Sequence, residues 1–156
     1  SGKKGGVRVI YQEHKMPKKS TTNLENELKS CDTLESFLKR NFDELSTASL
    51  AEQLQTLIAS KGLTRSGVVK ASNLNEVYAY QIISGARRPS RDKLLCLCIA
   101  MKATLDETRE LLVRGGFAPL YVRSQRDSII IFAISHGETI LELNNNMYDH
   151  GEPLLE

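Results

Sequence analysis

The stretch from Leu63 to Ser90, LTRSGVVKASNLNEVYAYQIISGARRPS, constrains this chain more than any other part of it. Thr64 caps a short helix that runs to Ala71. Asn73 stands where a turn needs a residue that tolerates the left-handed region. Asn75 caps a second short helix and Gly85 closes it. Arg87, Arg88, Pro89 and Ser90 follow at once. The segment therefore predicts helix, tight turn, helix, and then a basic corner.

Similar punctuation divides the rest of the chain. Asp32-Thr-Leu-Glu35 is a capping-box-like start that predicts a helix through about Leu45, with Leu34, Phe37, Leu38 and Phe42 on one face. Leu50, Leu54, Leu57 and Ile58 stripe the next helix, which ends near Gly62. Ser90 caps a helix through Ala100. Thr104-Leu-Asp-Glu107 opens one that ends at Gly115-Gly116. Ser124 and Asp127 open another, and Thr139-Ile-Leu-Glu142 opens the last, which Gly151 ends. Ile129–Ile134 is β-branched enough for a strand, but the flanking caps and the lack of a second strand favour helix. The chain reads as all-α. Residues 1–22, rich in Lys, Gly and Ser, read as a disordered or loosely ordered arm. Residues 23–116 read as the main domain and residues 117–156 as a C-terminal helical hairpin packed on the same core.

That hairpin repeats the one before it. At a fixed offset of 35, Arg91-Asp92 recurs as Arg126-Asp127, Leu94 as Ile129, Leu95 as Ile130, Leu97 as Phe132 and Ile99 as Ile134. Thr104 recurs as Thr139, Glu107 as Glu142, Leu112 as Met147 and Gly116 as Gly151. Caps, core positions and closing glycine keep one register without a gap. Two-helix units of about this length usually stack, which makes Ile130 and Ile134 core residues.

The formal charge of +2 hides an asymmetry. Residues 61–93 hold Lys61, Arg65, Lys70, Arg87, Arg88, Arg91 and Lys93 against Glu76 and Asp92, a net +5. Residues 116–156 carry a net −4. A basic segment in a near-neutral chain suggests a local anion-binding face, or else solvated helix ends. No apolar run approaches the ~20 residues of a membrane span, and no signal peptide is legible. Cys31, Cys96 and Cys98 are odd in number. The i, i+2 pair points to different sides of a helix, which argues for reduced thiols and a cytoplasmic setting over metal or disulfide. His14, His136 and His150 are scattered, and no nucleophile–base set or phosphate loop appears. The sequence implies no catalytic residue, no cofactor and no metal.

Residues 50–112 resemble the lambda-repressor-like (Cro/CI, XRE) DNA-binding domain. Leu63-Thr64-Arg65 matches the start of its first short helix, Asn73 and Leu74 its turn, and Asn75 the cap of its recognition helix. Ala79 and Ile82 match buried positions of that helix. Gly85, Arg87, Arg88, Pro89 and Ser90 match the segment behind it. The resemblance implies a lambda-repressor-like helix-turn-helix bundle, here extended by the two-helix hairpin. Val69 where Ala is usual, Asn73 for Gly and Ile83 for a frequent Glu depart from the pattern.

With Leu74, Ala79 and Ile82 inward, the exposed stripe is Glu76, Val77, Tyr80, Gln81 and Ser84. A helix in the major groove presents such residues to base edges. Gln81 suits the paired contact to adenine, Val77 a thymine methyl, and Tyr80 and Ser84 a phosphate or base edge. The resemblance gives Arg65 a phosphate contact, and Arg87 and Arg88 suit the backbone. Asn75 and Glu76 open the helix. Glu76 reads either as a first-turn acid favouring the helix dipole or as an acceptor from cytosine. Tyr78 reads as core. The sequence thus points to a sequence-specific regulator of double-stranded DNA, expected as a homodimer through part of the set Ile140, Leu141, Leu143, Met147 and Tyr148, unless the whole set is buried within the monomer against the 23–45 helices. The alternative is a non-enzymatic adaptor that binds a protein partner through its tyrosines, Ile83 and the acidic hairpin.

Overall fold

The computed structural model describes residues 19–45 and 48–156. The arm expected over residues 1–22 lies outside the described residues up to Lys18. Among the described residues every regular element is helical. The chain divides into two compact units, residues 1–49 and 50–156.

The first unit holds α1 (Thr21–Ser30), α2 (Leu34–Arg40) and a 3-10 turn, Phe42–Glu44. Ser20 caps α1 by accepting from the Asn23 N–H, so the last residues assigned to the arm begin a helix instead. Thr33 caps α2 by accepting from the Ser36 N–H. The helix stops at Arg40, short of the expected Leu45, and Asn41 is the reason. Its amide donates to the Phe37 carbonyl and to Glu27 Oε1, each at 3.1 Å, and its backbone leaves the helical region. Lys19 Nζ completes this polar hub, 2.6 Å from Asn41 Oδ1 and 3.0 Å from Glu27 Oε2. Hydrogen bonds from Lys19 and then Asn41 hold the Glu27 carboxyl below its usual range. The expected apolar stripe is not buried as a set: Phe37 is buried, whereas Leu34, Leu38 and Phe42 are exposed.

The second unit holds α3 (Leu50–Ser60), α4 (Arg65–Ala71), α5 (Glu76–Ser84), α6 (Arg91–Ala100), α7 (Leu105–Arg114), α8 (Gln125–His136) and α9 (Ile140–Asp149). The cap residues are Thr64, Asn75, Ser90, Thr104, Ser124 and Thr139, with full capping boxes at Thr104–Glu107 and Thr139–Glu142. Residues 129–134 are helical, within α8. α6 is the central element. Leu94, Leu95, Cys96, Leu97, Cys98 and Ile99 are all buried, because α4, α7 and α9 each pack on it. A helix apolar on every side is one surrounded by protein. Burial pushes the Cys96 and Cys98 thiols up to about 12, so both are protonated and unreactive near neutral pH.

The two repeat hairpins meet face to face rather than stacking in one direction. Arg91 makes a two-pronged ion pair with Asp127, both hydrogen bonds at 3.0 Å, and Arg126 makes the same pair with Asp92, again at 3.0 Å. Each arginine also binds the end of its own hairpin: Arg91 the carbonyls of Ala118 and Pro119, Arg126 those of Pro153 and Leu154. α6 packs on α9, and α7 packs on α8. At the far end Lys102 Nζ donates to the carbonyl of its counterpart, Gly137, at 2.7 Å. A small cavity between the hairpins is lined by counterpart pairs, Cys98 with Ala133, Ile99 with Ile134, Lys102 with Gly137 and Ala103 with Glu138. Contacts in which i meets j and j meets i are the mark of a two-fold relation. The hairpins are thus two copies of one unit closed on a local pseudo-two-fold axis. Of the two residues expected in the core there, Ile130 is fully buried, whereas Ile134 is half-buried beside the cavity.

Candidate nucleic-acid interface

The turn between α4 and α5 is set by three local bonds and one unusual backbone. The buried Ser72 hydroxyl donates to the Val69 carbonyl at 2.6 Å and accepts from the Leu74 N–H. Asn73 then takes φ 58°, as the turn requires. Asn75 Oδ1 accepts from the Tyr78 N–H and starts α5. Ala79, Ile82 and Ile83 face the core, and Gln55 of α3 donates to the Ile83 carbonyl at 2.8 Å. Ile83 is therefore not available to a protein partner, which corrects its place in the adaptor reading.

Gly85 ends α5 at φ 88°, and a Cβ there would lie 3.1 Å from the Ala51 side chain. The position demands glycine both for its backbone and for the close approach of α3. The chain then folds back, and the Arg87 N–H donates to the Gln81 carbonyl at 3.2 Å. This return carries the Arg87 guanidinium to 5.2 Å from the centre of the Tyr78 ring. Ser90 caps α6 by accepting from the Lys93 N–H, and the Lys93 ammonium sits 5.8 Å from the same ring. The result is an open cleft along α5 lined by Asn75, Val77, Tyr78, Gln81, Arg87 and Lys93.

Four of the residues expected in the site, Asn75, Val77, Gln81 and Arg87, share this cleft. Glu76, Ser84 and Arg65 are exposed, and Tyr80 is half-buried. The Ser84 hydroxyl is spent on the end of α5, donating to the Gln81 carbonyl and accepting from the Ala86 N–H. Arg88 diverges from Arg87, and its guanidinium leans on the Gly115 carbonyl at 3.4 Å. Tyr78 is not core: it is half-buried and lines the cleft. Lys93 was legible as a first-turn cation behind the Ser90 cap, but only the return of the chain at Gly85 brings it to α5.

The charge of this region is redistributed by folding. Lys61 pairs with Glu107 at 2.9 Å, and Arg91 and Asp92 are taken up by the reciprocal pairs with Asp127 and Arg126. Arg65, Lys70, Arg87, Arg88 and Lys93 carry no ion pair among the described residues, against the single acid Glu76. Among the described residues no cluster of metal-ligating side chains occurs, and no helix is long and apolar enough to cross a membrane. No protein-family model, curated protein or solved structure matches the chain.

Proposed function

We propose that this chain is a sequence-specific double-stranded DNA-binding transcriptional regulator, with α4 and α5 as a helix-turn-helix and α5 as its recognition helix. The observation that carries the reading is the cleft along α5. It sets two side chains suited to base edges, Gln81 and Val77, beside two cations suited to phosphate, Arg87 and Lys93. Base-edge contacts specify and phosphate contacts position. Gln81 reads adenine and Val77 a thymine methyl. Arg65 and Arg88 extend the phosphate contacts beyond the cleft.

The test is selection of bound duplexes from a random pool, followed by anisotropy titrations of the enriched duplex at several salt concentrations. Arg87→Ala is expected to flatten the log–log salt slope by ~0.9. Arg88→Ala flattens it less, because Gly115 already engages that guanidinium. Failure to enrich any sequence, or an unchanged slope in both variants, sinks the reading.

One recognition helix covers a half-site, so such regulators commonly act as two-fold pairs. Of the residues expected at that interface, Ile140, Leu143 and Met147 are buried within the chain, which leaves Leu141 and Tyr148, 72% and 79% exposed. Their counterparts on α7 are Asp106 and Val113, so the fold itself does not require apolar side chains at both positions. The paired form therefore uses Leu141 and Tyr148. Sedimentation equilibrium is expected to show dimers that the double variant Leu141→Glu, Tyr148→Glu dissociates. A wild-type chain that stays monomeric at tens of micromolar, on and off DNA, refutes the pairing.

A further inference from the structure

We infer that Tyr78 is a positioning residue: its ring is the platform on which Arg87 and Lys93 are held together as a clamp for one phosphodiester beside Gln81. The inference rests on the DNA-binding reading and adds to it the residue that organises the cations. Three observations carry it. The two cations belong to different parts of the chain, the return after Gly85 and the first turn of α6, yet both lie within 6 Å of one ring centre, at 5.2 and 5.8 Å. A cation within that distance of an aromatic face is attracted by the ring quadrupole, which offsets the repulsion between two like charges brought together. Neither cation forms an ion pair among the described residues, so the pair presents unspent donors to the open cleft.

The ring is also not accounted for by packing. Tyr78 is half-buried, and its hydroxyl has no hydrogen-bond partner among the described residues. A long flexible Lys and an Arg each lose rotamer freedom when they bind phosphate. A surface that holds them beforehand lowers that cost. The clamp adjoins Gln81, whose carbonyl receives the Arg87 N–H.

The experiment compares Tyr78→Phe and Tyr78→Leu in anisotropy titrations of the enriched duplex across a range of salt, and in NMR of the free protein. Phe keeps the ring, so affinity stays within about two-fold of wild type. Leu removes it, and affinity falls roughly three- to ten-fold while the salt slope is retained, because both cations remain. In an Arg87→Ala, Lys93→Ala background, Tyr78→Leu adds no further loss. In the free protein the Arg87 and Lys93 side-chain protons show ring-current shifts that Phe preserves and Leu abolishes, a readout that needs no DNA. Unshifted side-chain protons in the wild type overturn the platform. So does a Leu variant that binds like wild type, a Phe variant as weak as Leu, or a Leu loss undiminished in the double-cation background. A wild-type chain that shows those shifts but binds no duplex overturns the DNA reading and the phosphate clamp while leaving the ring–cation arrangement standing.

Discussion

Ile130→Ala is expected to lower the melting temperature of the whole 50–156 unit by roughly 10–20 °C, in a single transition. Ile130 lies on α8, is fully buried, and is the counterpart of Leu95, which is also fully buried. Arg91, Leu95, Cys98 and Lys102 form one helical stripe on α6. Arg126, Ile130, Ala133 and Gly137 form the matching stripe on α8. The ends of both stripes are tied across the pseudo-two-fold axis by the Arg91–Asp127, Arg126–Asp92 and Lys102–Gly137 contacts, and Ile130 lies on α8 between those ends. Cutting Ile to Ala in a packed core costs ~2–5 kcal/mol, the higher values arising where neighbours cannot collapse into the gap. α4, α7 and α9 all pack on α6, which limits how far the neighbours can collapse. The loss is felt at α5 because that helix is held by α3 and α4, and α4 packs on α6. Circular dichroism gives the melting temperature, and hydrogen exchange of the α5 amides tests the coupling. An unchanged melt, or an early separate transition of residues 125–156, would mean that the second hairpin is an appendage.

The parts of this fold that were legible in the sequence are those written within a few residues. Thr104–Glu107 and Thr139–Glu142 read as capping boxes because both partners lie three residues apart, and both boxes are made. Asn73 and Gly85 read as left-handed turns for the same reason. The first unit was harder. Its second helix ends where Asn41 bonds to Glu27 and Lys19, partners far away in sequence, so the stripe Leu34, Phe37, Leu38, Phe42 looked continuous and is not. Register gave the repeat, but not the direction of its packing. Arg126-Asp127 looks like an ordinary helix start until Asp92 and Arg91 face it.

The cleft shows the same division. The inward and outward faces of α5 follow from helical spacing, and Asn75, Val77, Gln81 and Arg87 line the cleft together. Tyr78 and Lys93 were missed because a ring–cation contact depends on how sharply the chain returns after Gly85. Ile83 looked like an unusual surface residue, but α3 lies over it and binds its carbonyl through Gln55. The basic segment looked stronger in sequence than it is once folded, since Lys61 and Arg91 are spent on Glu107 and Asp127.

Asp127→Ala is expected to destabilise the 50–156 unit by about 2–4 kcal/mol, whereas Asp92→Ala costs about 0.5–1.5 kcal/mol. The two carboxylates are counterparts with the same kind of arginine partner, so burial and extra bonds decide the difference. The Asp127 side chain is 10% exposed and that of Asp92 is 37% exposed. Asp127 also accepts the Tyr121 N–H at 2.9 Å. Removing Asp127 leaves Arg91 facing its hairpin carbonyls without a counter-charge, and leaves the Tyr121 N–H without its acceptor. The cost lies toward or below the low end of the about 3–5 kcal/mol of a fully buried pair because Arg91 keeps a quarter of its surface in water. The same pair sets an acid dependence. Burial raises the Asp127 pKa, but the hydrogen bonds from Arg91 and Tyr121 and the charges of Arg91 and Arg126 outweigh it and hold the carboxyl below its usual range. A native value below the unfolded value of about 3.9 means that the unfolded chain takes up the proton first. The stability contributed by Asp127 is therefore complete above the unfolded value and is lost as pH falls toward the native one. Urea unfolding of wild type and of Asp127→Asn between pH 7 and pH 3 measures this. The gap between them should be steady near neutrality and close as pH drops below about 4. A gap independent of pH would show that Asp127 acts through shape and hydrogen bonding alone, and equal losses from Asp127→Ala and Asp92→Ala would show that burial does not separate the two halves of the clasp.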